Sequence, residues 1–237
     1  MSTRFRFTLP PTNPVRWRPS WRLVPSHFPP VGIFDRVAGS DDLEAVQYIE
    51  GLTNERLREE TGDISLVPEA DRIFGPGTTP IMAAFTHRSP HGSRFSDGSF
   101  GVYYAAHHID TAIAETAYHR ARFLRATNES PIEIDMRSYA ADLDGQLHDL
   151  RGASDRYQDV YAPSPNAYHA GQSLAATLRS EGSDGIAYDS VRHEGGECVA
   201  VFKPRLLRPT RQGPHFCYVW DGQQIASIHT KSHYRSA

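Results

Sequence analysis

The stretch Arg94-Phe-Ser-Asp-Gly-Ser-Phe-Gly-Val-Tyr-Tyr-Ala-Ala-His107-His-Ile-Asp-Thr-Ala-Ile-Ala-Glu115-Thr decides how this chain folds, because it holds three kinds of local order in succession. A polar loop rich in glycine and serine comes first. The run from Phe100 to Ala105 then reads as a buried strand, since aromatic and β-branched side chains suit a pleated surface. Asp110 is placed to cap a helix running to about Leu124. On that helix Glu115 shares a face with Thr111, Ala112, Tyr118 and His119. The alanines at 112, 114 and 117 leave room for a backbone or a ligand to come close.

Working outward, Ile81-Met-Ala-Ala-Phe-Thr86 reads as a second buried strand, ending at His87. Gly62 and Gly75-Pro-Gly77 break the preceding segment into loops. Ser40-Asp41-Asp42 suits the cap of a short helix with Leu43, Val46 and Ile49 on one face. Residues 1–30 are dense in proline, arginine and tryptophan. Proline fixes φ and removes a donor, so a regular helix or a central strand is not expected there, and the aromatics suggest an arm packed on the domain.

Downstream, Pro131 to Asp135 is a strand candidate. Ser164-Pro165 opens a helix that Gly182 closes. Gly185 to Asp189 and Glu197 to Phe202 read as two adjacent strands. Phe216 to Trp220, Asp221-Gly222 and Gln223 to Ser227 form a hairpin with an expected type I′ turn. The whole reads as a mixed α+β domain. Its expected parts are a proline-rich arm over 1–30, a main domain over 31–210, and a hairpin and tail over 211–237.

The bulk numbers narrow the function. A chain of 237 residues with 22% charged and 39% apolar residues is ordinary for a globular protein. A net charge of −3 argues against non-specific nucleic-acid binding, which draws on a positive excess. No run approaches the ~20 apolar residues of a membrane span, and no secretory signal is evident, so a cytoplasmic location is expected. The two cysteines, Cys198 and Cys217, sit in apolar runs and read as buried thiols. Twelve histidines raise the question of a metal, but no paired spacing supports one.

Three residues stand out for chemistry. A lone helical glutamate such as Glu115 is most often solvated surface. Arg94 lies in a loop whose Gly92, Ser93 and Ser96 offer donors for a phosphate; its bland alternative is a pairing with Asp97. Ser190 follows an apolar strand in Tyr188-Asp-Ser190-Val-Arg192, without the glycines of a nucleophile elbow, and reads by itself as a turn former. Tyr103 and Tyr104 alternate faces of one strand, so one is core and the other is free to stack on a flat ring. His87 is kept as a site candidate. An arginine, a carboxylate and a hydroxyl in this order suit a phosphorylated, cationic glycoside such as a nicotinamide dinucleotide. A non-catalytic nucleotide-binding module is a different class, and a nuclease is the weakest.

Taken together, Ser93-Arg-Phe-Ser-Asp-Gly, Val102-Tyr-Tyr-Ala-Ala, Thr111-Ala-Ile-Ala-Glu115 and Asp184-Gly-Ile-Ala-Tyr-Asp-Ser190-Val-Arg resemble the RES domain family, over roughly Val31 to Pro204. The family is named for an arginine, a glutamate and a serine. The resemblance implies a fold like that of ADP-ribosylating toxins and an enzyme that degrades NAD or transfers ADP-ribose. It also implies a toxin paired with an Xre-type antitoxin that covers the NAD cleft, with homodimerisation as an aid. Glu115 matches the family glutamate and Ser190 the serine. Arg36, in Phe34-Asp-Arg-Val, matches an early arginine segment with aspartate in place of tyrosine, and Arg94 matches a later one. The segment over about 41–85 and the proline-rich arm exceed the family's compact form.

The chemistry implied is loss of nicotinamide, a cationic leaving group, through an oxocarbenium-like transition state. Glu115 would hold the ribose hydroxyls and stabilise that charge. Arg94, with Arg36 or Arg192, would hold the pyrophosphate, a tyrosine would stack on nicotinamide, and Ser190 would fix the ribose or carboxamide. NAD is then substrate and no cofactor is needed. Water as acceptor gives NAD glycohydrolase activity, phosphate gives phosphorolysis, and a protein side chain gives ADP-ribosylation.

Overall fold

The computed structural model describes residues 8–26, 62–87 and 92–232. Within them, seven strands form one mixed sheet with three α-helices packed on it. The strands are β1 (Thr12–Pro25), β2 (Tyr103–Ala106), β3 (Ile132–Asp149), β4 (Gly185–Asp189), β5 (Glu197–Val201), β6 (Arg211–Trp220) and β7 (Ile225–Lys231). The helices are α1 (Thr79–Thr86), α2 (Ile109–Ala126) and α3 (His169–Ser180). The strand order is β1-β2-β5-β4-β3-β6-β7, and β1 pairs with β3 as well. Five strands therefore close on themselves while β6 and β7 extend the sheet outward. Two seams of the ring are thin: β1 meets β2 at the single pair Trp21 and Ala106, and the parallel contact of β3 with β4 spans only His148–Ile186 and Asp149–Ala187.

The strand alternation of β2, β4 and β5 sorts their side chains onto two apolar faces, which is why their sequences read as unbroken apolar runs. Ala106, Ile186, Tyr188, Cys198 and Ala200 join Ala112 of α2 and Leu174 and Leu178 of α3 in one cluster. Tyr103, Ala105, Ala187, Val199 and Val201 join Ile81, Met82 and Phe85 of α1 in the other, with Val15 and Trp17 of β1. Helices α2 and α3 thus cover one face and α1 the opposite one.

Several expectations are corrected here. Ile81 to Thr86 is helical: Pro80 occupies the first turn of α1, where its missing N–H costs nothing, and Ile81, Met82, Phe85 and Thr86 are buried. The proline-rich segment contains a long strand. Its residues from Thr12 to Pro25 pair with β3, the register shifts at Pro19 between Trp17 and Ser20, and the opposite edge carries just the one bridge to β2, so proline is tolerated. Helix α2 starts two residues earlier than expected, with His108 at the cap position and Asp110 in the first turn. Pro131–Asp135 is the beginning of the long, bent β3.

Ser164 does cap a turn, accepting from the Asn166 N–H, but a short 3-10 segment precedes α3. The C-terminal hairpin is present, yet Trp220 pairs with Ile225, leaving the loop Asp221–Gln224. A type I′ turn needs two positive φ angles, and here only Gly222 has one, at 98°. Asp221 takes over the turn by accepting the N–H groups of Gln223 and Gln224 at 2.7 and 2.8 Å. The helix expected after Ser40 lies outside the described residues.

Candidate functional site

Glu115 projects from the second turn of α2, and the loop that joins β4 to β5 comes up against it. That loop begins at Ser190, whose Oγ donates to Glu115 Oε1 at 2.6 Å. The same Oγ accepts the backbone N–H groups of Arg192 and His193, each at 3.1 Å, so one hydroxyl shapes the turn and orients the carboxylate. The Ser190 N–H donates to the Gly196 carbonyl at 2.7 Å, closing the loop on itself. A second staple sits one helical turn earlier, where Thr111 Oγ1 meets His193 Nδ1 at 2.8 Å. Gly196 is needed for this approach: a Cβ there would lie 2.7 Å from two side-chain atoms of Thr111.

The neighbouring charges are arranged around this pair. Arg192 lays its guanidinium carbon 3.5 Å from the ring centre of Tyr118 and donates from one Nη to the Pro163 carbonyl. Its Nε is buried and has no partner. His119, one turn along α2, places Nε2 3.9 Å from Glu115 Oε2. Its side chain is 49% exposed and that of Glu115 21% exposed, so the imidazole is the more open of the two to solvent. The surrounding protein, followed by the positive charges of Arg192, Arg122, Arg94 and Arg120, pulls the His119 pKa down to about 4. The imidazole is therefore neutral at physiological pH, and its contact with Glu115 is not an ion pair.

Arg94 is brought to the same region but not as an open fork. It is 7% exposed, and its Nη1 donates to the carbonyls of Val160 and Ala162 at 2.5 and 3.0 Å. Its guanidinium also lies over the ring of Tyr168, 4.6 Å from the centre. Pairing with Asp97 does not occur; that carboxylate binds the backbone and hydroxyl of Ser99. Gly171 of α3 lets the Arg94 backbone pass, since a Cβ there would meet its carbonyl oxygen at 2.4 Å. Arg94 therefore ties the 157–168 segment to the glycine-serine loop and gives the site a fixed positive charge.

Ser93 and Tyr104 are joined to each other. The two hydroxyls are 2.8 Å apart, and the Tyr104 oxygen also accepts the Phe95 N–H at 2.9 Å, while burial pushes that phenol up to about 12. Tyr103 is the core member of the pair: it is fully buried, so it offers no face to a ligand. His87 caps the end of α1, with its ring nitrogen 2.9 Å from the Ala83 carbonyl. Because α1 covers the face of the sheet opposite α2, His87 is not gathered with Glu115. Arg36 lies outside the described residues.

Sequence reasoning missed the roles of His119, His193 and Arg22. The first was visible as the position four after Glu115 on the same helix face. The second follows from Gly195-Gly196, which reads as a turn but serves a close approach to α2. Arg22 carried no local signal. Its Nη1 donates to the Tyr104 carbonyl at 3.0 Å, its Nε is buried without a partner, and burial holds its pKa below the usual value. Cys198, behind the site, is held as a thiol because burial raises its pKa far above neutrality, so it is not a nucleophile. No α-helix of the described residues is long and apolar enough to cross a membrane.

A protein from Sinorhizobium fredii (strain NBRC 101917 / NGR234), called y4oC and described as uncharacterized, is 32% identical over 211 residues, covering 88% of this chain and 86% of that protein. Among solved structures, the crystal structure of the M. tuberculosis MbcT-MbcA toxin-antitoxin complex is similar at a TM-score of 0.45 and 12% identity, over 93% of this chain and 87% of that chain. The model of the RES domain matches residues 69–221, a span that takes in Arg94, Glu115 and Ser190 together, and the chain belongs to the RES domain family.

Proposed function

We propose that this protein is the toxin of a bacterial toxin–antitoxin pair and that it cleaves the nicotinamide–ribose bond of NAD in the cytoplasm, with water as acceptor. The observation that carries the reading is the 2.6 Å hydrogen bond from Ser190 Oγ to Glu115 Oε1, which joins two members of the family's residue trio across 75 positions of sequence. The bond occupies one carboxylate oxygen and leaves the other, Oε2, facing His119.

In this reading Glu115 holds the ribose and stabilises the positive charge that develops at C1′ as neutral nicotinamide departs. The leaving group needs no proton. Ser190 fixes the carboxylate and shapes the loop. Arg192, with its unpartnered Nε beside that loop, takes the pyrophosphate. Arg94 holds the surrounding segments and supplies a fixed field. An Xre-type antitoxin covers the mouth of the cleft and restrains the activity, and a second copy of the chain adds to that restraint.

The test is nicotinamide release from NAD by the purified protein. Wild type is expected to release it, and Glu115→Gln, which keeps an acceptor for Ser190 but removes the charge, is expected to lose about 10²–10³-fold in rate. No release by wild type, or equal release by the variant, overturns the reading. Labelled NAD incubated with cell lysate separates hydrolysis from transfer of ADP-ribose to a protein.

A further inference from the structure

The group next to Glu115 that the reading above leaves without a task is His119. Its position is set by α2 itself, four residues on, with its Nε2 3.9 Å from Glu115 Oε2. That distance is too long for a hydrogen bond, so the imidazole does not serve to hold the carboxylate. Ser190 already does so from the other side. The Tyr118 ring meets the imidazole edge-on, with centres 5.3 Å apart. The imidazole is thus half-exposed to solvent beside a carboxylate that is mostly covered.

We propose that His119 activates the acceptor water, receiving its proton as the water oxygen adds to C1′ of the ribose. This rests on the NAD-cleaving reading. The water O–H bond breaks and the O–C1′ bond forms while the C1′–N bond of nicotinamide breaks. The electron pair of that bond goes to the ring nitrogen, which loses its positive charge. The proton resides on His119 and then passes to solvent, so the products are ADP-ribose, nicotinamide and a proton.

The surroundings keep the imidazole neutral. The charged groups bearing on the ring are Arg120 and Arg122 from α2, Arg192 from the loop after β4, and Arg94 from the loop before β2. Burial first, and then these charges, bring the imidazole pKa down to about 4, so the ring is neutral and its lone pair is open to the water proton, as a weaker base than free imidazole. Glu115 is the one carboxylate within ion-pair distance of it among the described residues. Division of labour follows: the carboxylate stabilises charge and the imidazole takes the proton.

The experiment compares water with azide, an anionic acceptor that brings no proton, in wild type, His119→Gln and His119→Ala. The water reaction of both variants is expected to fall about 100-fold in kcat with KM changed by less than about twofold. Formation of the ribosyl azide is expected to stay within about threefold of wild type, because no base is needed; that retained activity also shows the variant to be folded. Added imidazole is expected to restore part of the water reaction of His119→Ala. If water and azide reactions fall together, or if neither falls, the proposal is overturned while the NAD reading stands. If wild type releases no nicotinamide with either acceptor, the NAD reading itself has failed, and this proposal with it.

Discussion

The hydrogen bond between Ser190 and Glu115 gives a prediction that does not depend on any substrate. Ser190→Ala removes three interactions: the 2.6 Å donation to Glu115 Oε1 and the two acceptances, at 3.1 Å, from the N–H groups of Arg192 and His193. A hydrogen bond to a charged group contributes about 1.5–3 kcal/mol, and a neutral one about 1 kcal/mol. The loop is partly exposed, so water replaces much of what the two backbone donors lose. The single substitution is expected to cost about 2–3 kcal/mol of stability. The sharper number comes from a double-mutant cycle with Glu115→Ala. The loss at the two backbone donors occurs in both backgrounds and cancels, so the cycle isolates the side-chain pair. Because the Glu115 side chain is only 21% exposed, the coupling is expected at about 1.5–3 kcal/mol in urea unfolding of the four proteins. A coupling below about 0.5 kcal/mol refutes the reasoning, for the two side chains would then be adjacent without acting as one unit.

Four further outcomes follow from the same geometry. Gly196→Ala places a Cβ 2.7 Å from the Thr111 side chain and is expected to cost about 1–3 kcal/mol in urea unfolding; a neutral result would show that the β4–β5 loop is not pressed on α2. Arg94→Lys loses the Nη1 that donates to two carbonyls and the contact of the guanidinium with Tyr168, with an expected loss of about 2 kcal/mol, and an unchanged midpoint would refute its structural role. Arg192→Lys is expected to raise KM for NAD about tenfold with a smaller effect on kcat, and an unchanged KM would remove Arg192 from the pyrophosphate. His119 titrates near pH 6.5 when unfolded and near 4 when folded, so between those values the unfolded chain binds the extra proton and stability falls as pH falls. Thermal unfolding of His119→Gln is expected to lose that part of the slope between pH 6.5 and 4, with stability above pH 6.5 unaffected by it.

The paired strands β4 and β5 were legible because both faces are buried and the apolar run is continuous. What sequence could not supply was long-range register. Trp17 lies opposite Leu143, and nothing within a local window shows that the proline-dense segment has a partner that far along the chain. A proline argument therefore excluded a strand that tertiary pairing allows. The error at Ile81–Thr86 has a different origin. An apolar run of that length fits a buried helix as well as a buried strand, and Pro80, which favours a first helical turn, was the signal to weigh.

The site shows the same division between what is local and what is not. Glu115 and His119 sit four apart on one helix, so their shared face was readable directly. That Ser190 meets Glu115 came only from the resemblance, since local chemistry marked it as a turn former, and it turns out to do both jobs with one oxygen. The arginine was misjudged for a physical reason. A guanidinium in a glycine-serine loop suggests phosphate when its other partners are unseen, but Arg94 finds two carbonyls 66 and 68 residues away and binds them instead. Its Nη1 is thereby committed to the backbone, and its charge is fixed in place. Burial first, and then the charges of Arg192, Arg122, Arg94 and Arg120, keep the neighbouring imidazole neutral. The arginine is thus first a tie between two segments, and a smaller part of what keeps His119 neutral beside Glu115.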